Sequence, residues 1–372
     1  MDFRFSDEQR MLDDSASRFL AGKYTFETYR AAIAGTEGYN PARWREMAEL
    51  GWMASPFPEA CGGFGGTLID VQLIARRLGE RLCVDPWLTC ALLPGKVLEY
   101  VGTPSALKRL EAIVSGEAHM ALAALETGGH YDLLHINARV KGSGGQQVLD
   151  GHKSVVFGAK GANSLLVTAR DEKGAAVLLE VPGNAAGVSI KDYRVLDGSR
   201  AAEVQFTGVK LSAEAVLARG DDALKAVSRA VDVATVAQCA DMLGAIAAVF
   251  RKTVEYARTR KQFGTTIGSF QVIQHYLVDM FVEVQQAESL VWMAGIRGDT
   301  AVDKERQIAV STAKAYLCRS AVAVAQKAVQ IHGGIGMTEE LDVGHYFRRV
   351  THYAGMYGDR DYHVSRYASL MD

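Results

Sequence analysis

Hydrophobic positions change their spacing twice along the chain. Before about Gly116, apolar residues recur every three or four positions, as in TLIDVQLIARRLGERL, which is typical of amphipathic helices. Between about Glu117 and Ala218, the apolar runs are short, rich in β-branched residues and separated by glycines, which indicates strands. From about Arg219 onward the helical spacing returns in longer segments. The pattern therefore predicts a helical region, a β region and a second helical region.

Local signals mark elements in the first two regions. Ser6 is predicted to cap the first helix, with Gln9 as its capping-box partner. The segment SPFPEACGGFGG, residues 55–66, is predicted to be a connecting loop rather than a phosphate-binding loop, because it follows a helical pattern and no Lys-Ser/Thr pair closes it. Asp150-Gly151 is a strong hairpin signal. No helices of 10–15 residues alternate with the strands, which favours an antiparallel barrel or sandwich over a Rossmann sheet.

The last region predicts long helices. They span residues 221–259, a segment that Ser269 caps, residues 303–331 before Gly333-Gly334, and about residues 341–353. In the second of them, one apolar stripe is interpreted as bundle core: Phe270, Ile273, Leu277, Met280, Phe281 and Val284. The chain is thus predicted to be α+β with three domains: an N-terminal all-α domain (1–116), a middle antiparallel β-barrel (117–218) and a C-terminal four-helix bundle (219–372).

Composition narrows the function without identifying it. The 372 residues have a net charge of -2, from 41 basic and 43 acidic side chains, so there is no basic face for nucleic acid. The 5 cysteines are scattered and form no CxxC pair, which favours neither a disulfide framework nor a zinc site. The start of the chain has no secretory pattern, and the best apolar stretch, MLGAIAAVF, is too short to span a membrane. We expect a cytoplasmic protein with no membrane partner and no bound metal.

Two segments have candidate chemistry. The first, here the cationic segment, is YARTRKQFGTTIGSFQ, residues 256–271. Arg260 can bind a phosphate bidentately, Phe263 can stack on a base, and the amides that open the next helix favour anions. The second, here the glycine segment, is VQIHGGIGMTEE, residues 329–340, where Gly333 and Gly334 let backbone approach a ligand. Taken singly, a basic turn at a helix terminus and a glycine C-cap explain them better than a ligand site does. No GxSxG, HExxH or P-loop motif suggests hydrolytic or nucleotide-hydrolysing chemistry.

Together and in this order, the two segments resemble the acyl-CoA dehydrogenase family, and the resemblance covers the whole chain. FSDEQRMLDDSASRFL and WREMAELGWMASPFPEACGGFGG are similar to its N-terminal helical domain, and LDGHKSVVFG to its β-barrel. The resemblance implies a flavoprotein in which FAD at a subunit interface oxidises an acyl-CoA thioester to its α,β-enoyl product, with an electron-transfer flavoprotein as a further partner. It also implies that the ADP half of the FAD contacts Arg260, Gln262, Phe263, Gln271, Gln330, His332, Gly333 and Gly334.

Other family positions are changed here. The flavin-ring motif TEPxxGSD becomes ETGGHYD, residues 126–132, which keeps only Glu126 and Asp132. The second flavin segment, W-I-T/S in the family, becomes Val155-Val156-Phe157, so that an indole and a hydroxyl are replaced by apolar groups. The family's catalytic Glu falls on Tyr357, whose hydroxyl is a poor base, and an alternative base position falls on Ala234, two residues from Asp232. The catalytic residue is therefore unassigned.

The ADP-half positions match the family and the flavin-ring and base positions do not. This contrast suggests a subunit that contributes to a partner's FAD site but has no complete site of its own. The chain resembles the non-catalytic subunits of heterotetrameric acyl-CoA dehydrogenases that act on bulky substrates such as steroid side-chain thioesters, which points to lipid or steroid catabolism. Three alternatives stay open. They are a homotetrameric dehydrogenase with a relocated base such as Asp359 or Asp361, a binding or scaffold protein without a redox role, and a flavin oxygenase or nitroalkane-oxidase-like relative.

Overall fold

The computed structural model describes residues 4–36, 39–142, 145–299 and 302–371, which separate into two compact units. The first unit contains residues 1–33, 67–84 and 235–372, and the second contains residues 34–66 and 85–234. Each unit therefore takes segments from distant parts of the chain, and the N-terminal helical region contributes to both. The division into three consecutive domains, with boundaries near residues 116 and 218, remains a prediction.

The first unit is helical. Its elements are α1 (Asp7–Lys23), α2 (Phe26–Ala34), α4 (Leu68–Glu80), most of α7 (Gly220–Thr259), β9 (Lys261–Gln262), β10 (Thr265–Thr266), α8 (Gln271–Gly298), α9 (Asp303–His332), α10 (Val343–Ala354) and α11 (Arg360–Met371). The predicted capping box is confirmed, since Ser6 Oγ accepts from the Gln9 amide and Gln9 Oε1 accepts from the Ser6 amide, both at 3.1 Å. Close helix crossings depend on glycine: a Cβ on Gly79 would lie 1.9 Å from the Asp241 carbonyl oxygen.

The second unit combines short helices with a sheet. The helices are α3 (Pro41–Glu49), α5 (Leu93–Val101), preceded by a π-helical turn (Leu88–Leu92), α6 (Pro104–Val114) and the start of α7. The strands are β1 (Met120–Ala123), β2 (Arg139–Lys141), β3 (Gln146–Phe157), β4 (Ser164–Arg170), β5 (Ala176–Pro182), β6 (Val188–Arg194), β7 (Arg200–Ser212) and β8 (Val216–Arg219). The residues 55–66 form a loop with one 3-10 turn, as the sequence predicts.

The 8-stranded sheet has the order β6-β7-β3-β2-β4-β5-β8, with β1 beside β4. Most neighbours are antiparallel, while β1 and β2 run parallel to β4. Inward side chains such as Leu149, Val167 and Phe206 form its core. The predicted helical, β and helical regions are confirmed.

Three local predictions are corrected. Asp150-Gly151 is not a hairpin turn but lies inside β3, at a register shift against β7 where Gly151 has φ 156 and fits against Ala138. Ser269 does not cap α8, which begins at Gln271, because its hydroxyl donates to the Thr266 carbonyl within a 3-10 turn. The C-terminal region also has a further helix, α11, which follows a turn at Tyr357.

Apolar patterns in the long helices have two outcomes. In the stripe on α8, Met280 and Val284 are buried, but Phe281 is 49% exposed, so the interpretation as core holds for only part of it within this chain.

By length and composition, α7 and the segment Asp303–Met337 are also apolar enough to cross a membrane. Their most apolar windows are 89% and 61% buried inside the protein, which is the environment of a core helix.

Candidate functional site

The cationic segment folds as a tight hairpin after the end of α7. The two short strands β9 and β10 pair antiparallel, with Gln262 opposite Thr265. The two residues between them, Phe263 and Gly264, have φ 54 and 82, as in a type I′ turn. The Ile267 amide donates to the Arg260 carbonyl at 2.9 Å and closes the base of the hairpin. The glycine in QFG therefore allows a turn that presents the preceding aromatic ring.

This turn leaves the apolar ring of Phe263 in solvent and its backbone in a strained conformation. Its ring is 93% exposed, and its left-handed backbone conformation costs about 1–2 kcal/mol for a residue that is not glycine. Within the described chain its ring contact is an edge-on approach to Phe270, with centroids 6.2 Å apart. Strain and exposure combined in one aromatic residue indicate a contact surface for another molecule.

The glycine segment contains the end of α9, and its backbone is accessible after that end. The helix ends at His332, and Gly333 follows at φ 67, a conformation that side chains rarely adopt. Nothing lies within 4 Å of a Cβ built on Gly333 or Gly334. A 3-10 turn (Gly333–Met337) follows, and Met337 is 75% exposed. The space beside these two glycines is thus accessible to a ligand.

The fold brings the two segments together. The rings of Tyr256 and His332 stack with centroids 4.3 Å apart and planes at 23°, and the Tyr256 hydroxyl donates to the His332 carbonyl at 3.5 Å. His332 Nδ1 lies 2.8 Å from the Ala328 carbonyl and must donate to it. Burial lowers the pKa of His332, so its ring is neutral near pH 7. Its contacts make His332 a positioning residue at this junction.

The other residues that the sequence suggests for the ADP half lie on the surface. Arg260, Gln262, Gln271 and Gln330 are all exposed. Gln271 is the first residue of the 28-residue helix α8, whose N-terminus has no side-chain cap among the described residues. A helix N-terminus without a cap offers backbone N–H groups and the positive end of the helix dipole to an anion.

The flavin-ring positions lie in the second unit. Glu126, the first of them, is buried and hydrogen-bonded within the chain. Its carboxylate accepts from Lys153 Nζ at 2.7 Å and from the amides of Asn137 and Ala138 at 2.6 and 3.0 Å. Burial is the largest single effect and opposes ionisation, but the hydrogen bonds from Lys153 and the two amides, together with the charge of Lys153, outweigh it, and the pKa of Glu126 is lowered. The glutamate that survives from the family motif therefore anchors residues 126–138 to the sheet and is not free to act as a base.

Lys153 completes this buried anchor. Its ammonium group is 0% exposed and also contacts the Thr168 hydroxyl at 2.9 Å and the Ala124 carbonyl at 3.3 Å. Burial lowers the pKa of Lys153 to about 8. Sequence reasoning did not single out this residue. The alternation of side chains along β3 could have indicated it, because Lys153 lies an even number of residues from Leu149 and so on the same inward face of the strand.

The changed flavin-ring segments have an unusual backbone. Val155 has φ 54 and is 40% exposed, at a second register shift between β3 and β7. This conformation is an outlier for a β-branched residue. His130, in the loop that replaces TEPxxGSD, has φ 49, and Asp132 accepts from the Leu134 amide at 2.8 Å in a local turn. The side chains of these segments differ from the family motifs, and their backbone is strained at Val155 and His130.

The position of the family's catalytic glutamate lies in the turn between α10 and α11, residues 355–359, here the base turn, which belongs to the first unit. Tyr357 has φ 59, and its carbonyl lies 3.1 Å from His363 Nε2, which must donate to it. His363 Nδ1 then accepts from Ser311 at 3.2 Å. Burial lowers the pKa of His363 to about 3. His363 thus fixes the turn as a neutral imidazole, a role that sequence reasoning did not find.

Neither nearby aspartate occupies the base position. Asp359 Oδ1 accepts from the Tyr362 amide at 2.9 Å, so Asp359 acts as the cap of α11. The Asp361 side chain is 91% exposed in the first turn of that helix. The alternative position, Ala234, is fully buried on α7, and Asp232 is 2% exposed.

Backbone strain is concentrated in the segments discussed above. Among the described residues, five that are not glycine have positive φ: Leu82, His130, Val155, Phe263 and Tyr357. All except Leu82 lie in the cationic segment, the flavin-ring segments or the base turn. Such residues cost about 1–3 kcal/mol each and cluster at functional sites.

Comparisons with known proteins identify the family of the chain. Two models of one family match the chain: "Acyl-CoA dehydrogenase, N-terminal domain" over residues 6–117 and "Acyl-CoA dehydrogenase, C-terminal domain" over residues 224–370. The probable acyl-CoA dehydrogenase YngJ of Bacillus subtilis (strain 168) is 28% identical over 360 residues, which are 94% of this chain and 93% of that protein.

Solved structures have the same fold over the full length. A variant of the Tcur3481–Tcur3483 steroid ACAD is 25% identical, has a TM-score of 0.88 and aligns over 98% of both chains. Butyryl-CoA dehydrogenase from Megasphaera elsdenii is 23% identical, has a TM-score of 0.91 and aligns over 100% of both chains. The chain belongs to the acyl-CoA dehydrogenase family of FAD-dependent oxidoreductases.

Proposed function

We propose that this chain is the subunit of a mixed acyl-CoA dehydrogenase that binds the ADP half of an FAD whose flavin ring reacts in the partner subunit. The observation that carries the proposal is the base turn. Tyr357 stands at the catalytic position, Asp359 caps α11, and Asp361 points into solvent. None of the carboxylates considered in the described part of the chain, those of Asp359, Asp361 and Asp232, is therefore in place to remove the α-proton of a thioester.

The residues of the cationic and glycine segments fit the ADP half of FAD. Arg260 offers a fork of donors suited to a phosphate, and the exposed ring of Phe263 is suited to stacking on a planar base. Open backbone at Gly333 and Gly334 permits close approach. When bound, FAD would supply the hydride acceptor for dehydrogenation. The role of this chain would be to bind and orient the nucleotide end.

The residues at the flavin-ring positions fit less well. Glu126 is committed to Lys153, and Val155 and Phe157 supply apolar groups where the family has an indole and a hydroxyl donor. A hydroxyl or backbone donor near the flavin is part of how such enzymes tune the ring. This contrast supports use of half of the possible FAD sites in the oligomer.

A bulky acyl-CoA thioester, with a steroid side chain or another lipid group, is the proposed substrate of the assembly. Support comes from the Tcur3481–Tcur3483 relative, whose name joins two proteins and the word steroid. An electron-transfer flavoprotein is the proposed electron acceptor. The proposed oligomer is a heterotetramer with a second acyl-CoA dehydrogenase subunit.

The test compares this chain purified alone with the chain co-expressed with an acyl-CoA dehydrogenase encoded beside its gene. FAD content is measured by absorbance after denaturation, and turnover by reduction of an artificial acceptor with steroid side-chain and fatty acyl-CoA thioesters. We expect little FAD and no turnover from the chain alone, and both from the complex. Saturating FAD together with turnover from the chain alone would overturn the proposal.

A homomeric enzyme is the second candidate, because Val155 and His130 have strained backbone of the kind that clusters at functional sites. The variant Tyr357→Glu distinguishes the two. If the chain alone binds FAD, this substitution supplies a carboxylate and should raise turnover. For a subunit without a flavin site, neither the wild-type chain nor the variant turns over alone.

A further inference from the structure

The last turns of α7 carry side chains that contact the glycine segment and the residue just beyond it. Lys252 and Tyr256 are four positions apart in α7 and therefore lie on the same face of the helix. Arg260 comes four positions after Tyr256, just past the last helical residue. The contacts of Lys252 and Tyr256 join the two candidate segments to one helix.

Tyr256, at the start of the cationic segment, is bonded in both directions. Its carbonyl accepts from the Arg260 amide at 2.8 Å, so the backbone of Arg260 is tied to it. Its ring stacks on the ring of His332, with centroids 4.3 Å apart. Its hydroxyl reaches the His332 carbonyl, at 3.5 Å, in the peptide bond that leads into Gly333. One residue thus connects Arg260 to the point where the backbone of the glycine segment becomes accessible.

The ring on which Tyr256 stacks is itself fixed. His332 is 6% exposed, and its Nδ1 lies 2.8 Å from the Ala328 carbonyl one turn earlier in α9. A hydrogen bond at one edge and a stacked ring on one face leave the imidazole little freedom to rotate. Side chains locked in this way hold a site in a defined geometry. Tyr256 therefore packs on a rigid support.

A salt bridge adds a second contact one turn earlier in α7. Lys252 Nζ lies 2.9 Å from Asp342 Oδ2, and the Asp342 side chain is 14% exposed. Asp342 follows the glycine segment and immediately precedes α10. Because the Lys252 side chain is 47% exposed, this pair adds little stability. Its position shows that α7 contacts the chain on both sides of the two open glycines, at His332 and at Asp342.

We propose that Tyr256 is a positioning residue for the ADP half of FAD: its ring fixes the separation between Arg260 and Gly333 without contacting the nucleotide. This inference rests on the proposed function of the chain. A ligand that contacts two segments at once binds tightly only when their separation matches its own dimensions. A junction of stacked rings sets the separation before the ligand arrives, which reduces the free-energy cost of binding.

The first measurement is the FAD affinity of the co-expressed complex, freed of FAD and titrated with it. Tyr256→Leu removes the stacked ring and should weaken FAD binding about tenfold. Tyr256→Phe keeps the stack and loses only a long hydroxyl contact, so its affinity should stay within about twofold of the wild type. Loss of affinity in Tyr256→Phe as large as in Tyr256→Leu would contradict a role for the stacked ring.

A double-mutant cycle tests whether Tyr256 acts through His332. His332→Leu should also weaken FAD binding about tenfold, and the two leucine substitutions together should weaken it about tenfold rather than 100-fold, because both remove the same contact. A 100-fold loss in the double variant would mean that the two residues act independently, which would overturn the proposal.

Phe250→Leu is the matched control. Phe250 also lies on α7 and is partly buried, but its ring packs near Phe281 of α8, with centroids 6.1 Å apart. The substitution should lower the free energy of unfolding by an amount similar to Tyr256→Leu and leave the FAD affinity unchanged. An equal loss of FAD affinity in both variants would reduce the effect of Tyr256 to general stability and would overturn the proposal.

Amide hydrogen exchange of the chain without FAD reports on the junction separately. Tyr256→Leu should exchange about tenfold faster than Phe250→Leu in residues 329–340, because the support of the glycine segment is lost. Unchanged exchange there, or unchanged FAD affinity in Tyr256→Leu, would overturn this inference and leave the proposed function intact. A wild-type complex that binds no FAD would overturn the proposed function and this inference together.

Discussion

The cationic and glycine segments contrast with the flavin-ring segments of the second unit, although both derive from motifs of one family. In the first pair, Phe263, Arg260 and the two glycines are exposed and directed outward. In the flavin-ring loop, Glu126 is 6% exposed and its carboxylate is satisfied within the chain by Lys153 and two amides. Retention of a motif residue therefore does not by itself indicate retention of its chemistry. The contacts of the side chain decide.

The largest expected effect concerns Glu126 and tests whether this residue stabilises the fold or binds the flavin. Glu126→Ala leaves the Lys153 ammonium buried without its carboxylate, which should cost about 3–5 kcal/mol in the free energy of unfolding. Adding Lys153→Met should recover most of the loss, because the uncompensated charge is removed. Urea unfolding of FAD-free protein measures both. Unchanged stability in Glu126→Ala, with a loss of FAD only, would contradict this assignment.

The next effect tests the outward-facing segment. Replacing both Arg260 and Phe263 by alanine in the co-expressed complex should weaken FAD binding by about 3 kcal/mol, or about 100-fold, through loss of a charged hydrogen bond and a stacking contact. The stability of the chain should change by less than about 0.5 kcal/mol, because both side chains are exposed. Lys225→Ala, an exposed cation near the start of α7, serves as the control. FAD retained at full affinity would remove the contrast between the two regions.

A smaller effect concerns the turn that replaces the family's base. His363 has a folded pKa of about 3, below its ordinary value of about 6.5, so between these values the unfolded chain binds more protons. Stability should therefore fall as pH decreases from 6.5, and His363 should contribute about 1–2 kcal/mol of the loss by pH 5.

The variant His363→Gln provides the comparison, since its amide donates to the Tyr357 carbonyl but does not titrate. Its unfolding free energy should decline less steeply over this pH range, as measured by urea titrations at several pH values. Parallel curves for the two proteins would show that His363 is protonated or exposed in the native turn.

The smallest effect tests the strained flavin segment. Val155→Asn should stabilise the second unit by about 0.5–1 kcal/mol, since asparagine tolerates φ 54 better than a β-branched residue does. Val188→Asn, at a regular position of β6, should instead destabilise the sheet. A destabilised Val155→Asn would mean that contacts of the valine outweigh its strain.

Sequence reasoning reached the element types and several boundaries, because helix and strand periodicities and the Ser6 capping box are local signals. It misplaced Asp150-Gly151 and Ser269 for a physical reason. A dipeptide that favours a turn also fits a bulge in a long strand, and a serine near a helix start can bond an earlier carbonyl. The roles of Lys153 and His363 were not predicted because the fold alone brings their partners Glu126 and Ser311 to them, from 27 and 52 positions away in the chain.

Taken alone, the order of residues determined the succession of helical and β regions, the family resemblance and the list of changed motif positions, since all of these are read from neighbours along the chain. Tertiary structure decided which residues meet: Tyr256 with His332, Glu126 with Lys153, and Asp359 with the start of α11. Burial and hydrogen bonding depend on groups brought together across the fold, so the roles of these residues follow from their three-dimensional surroundings.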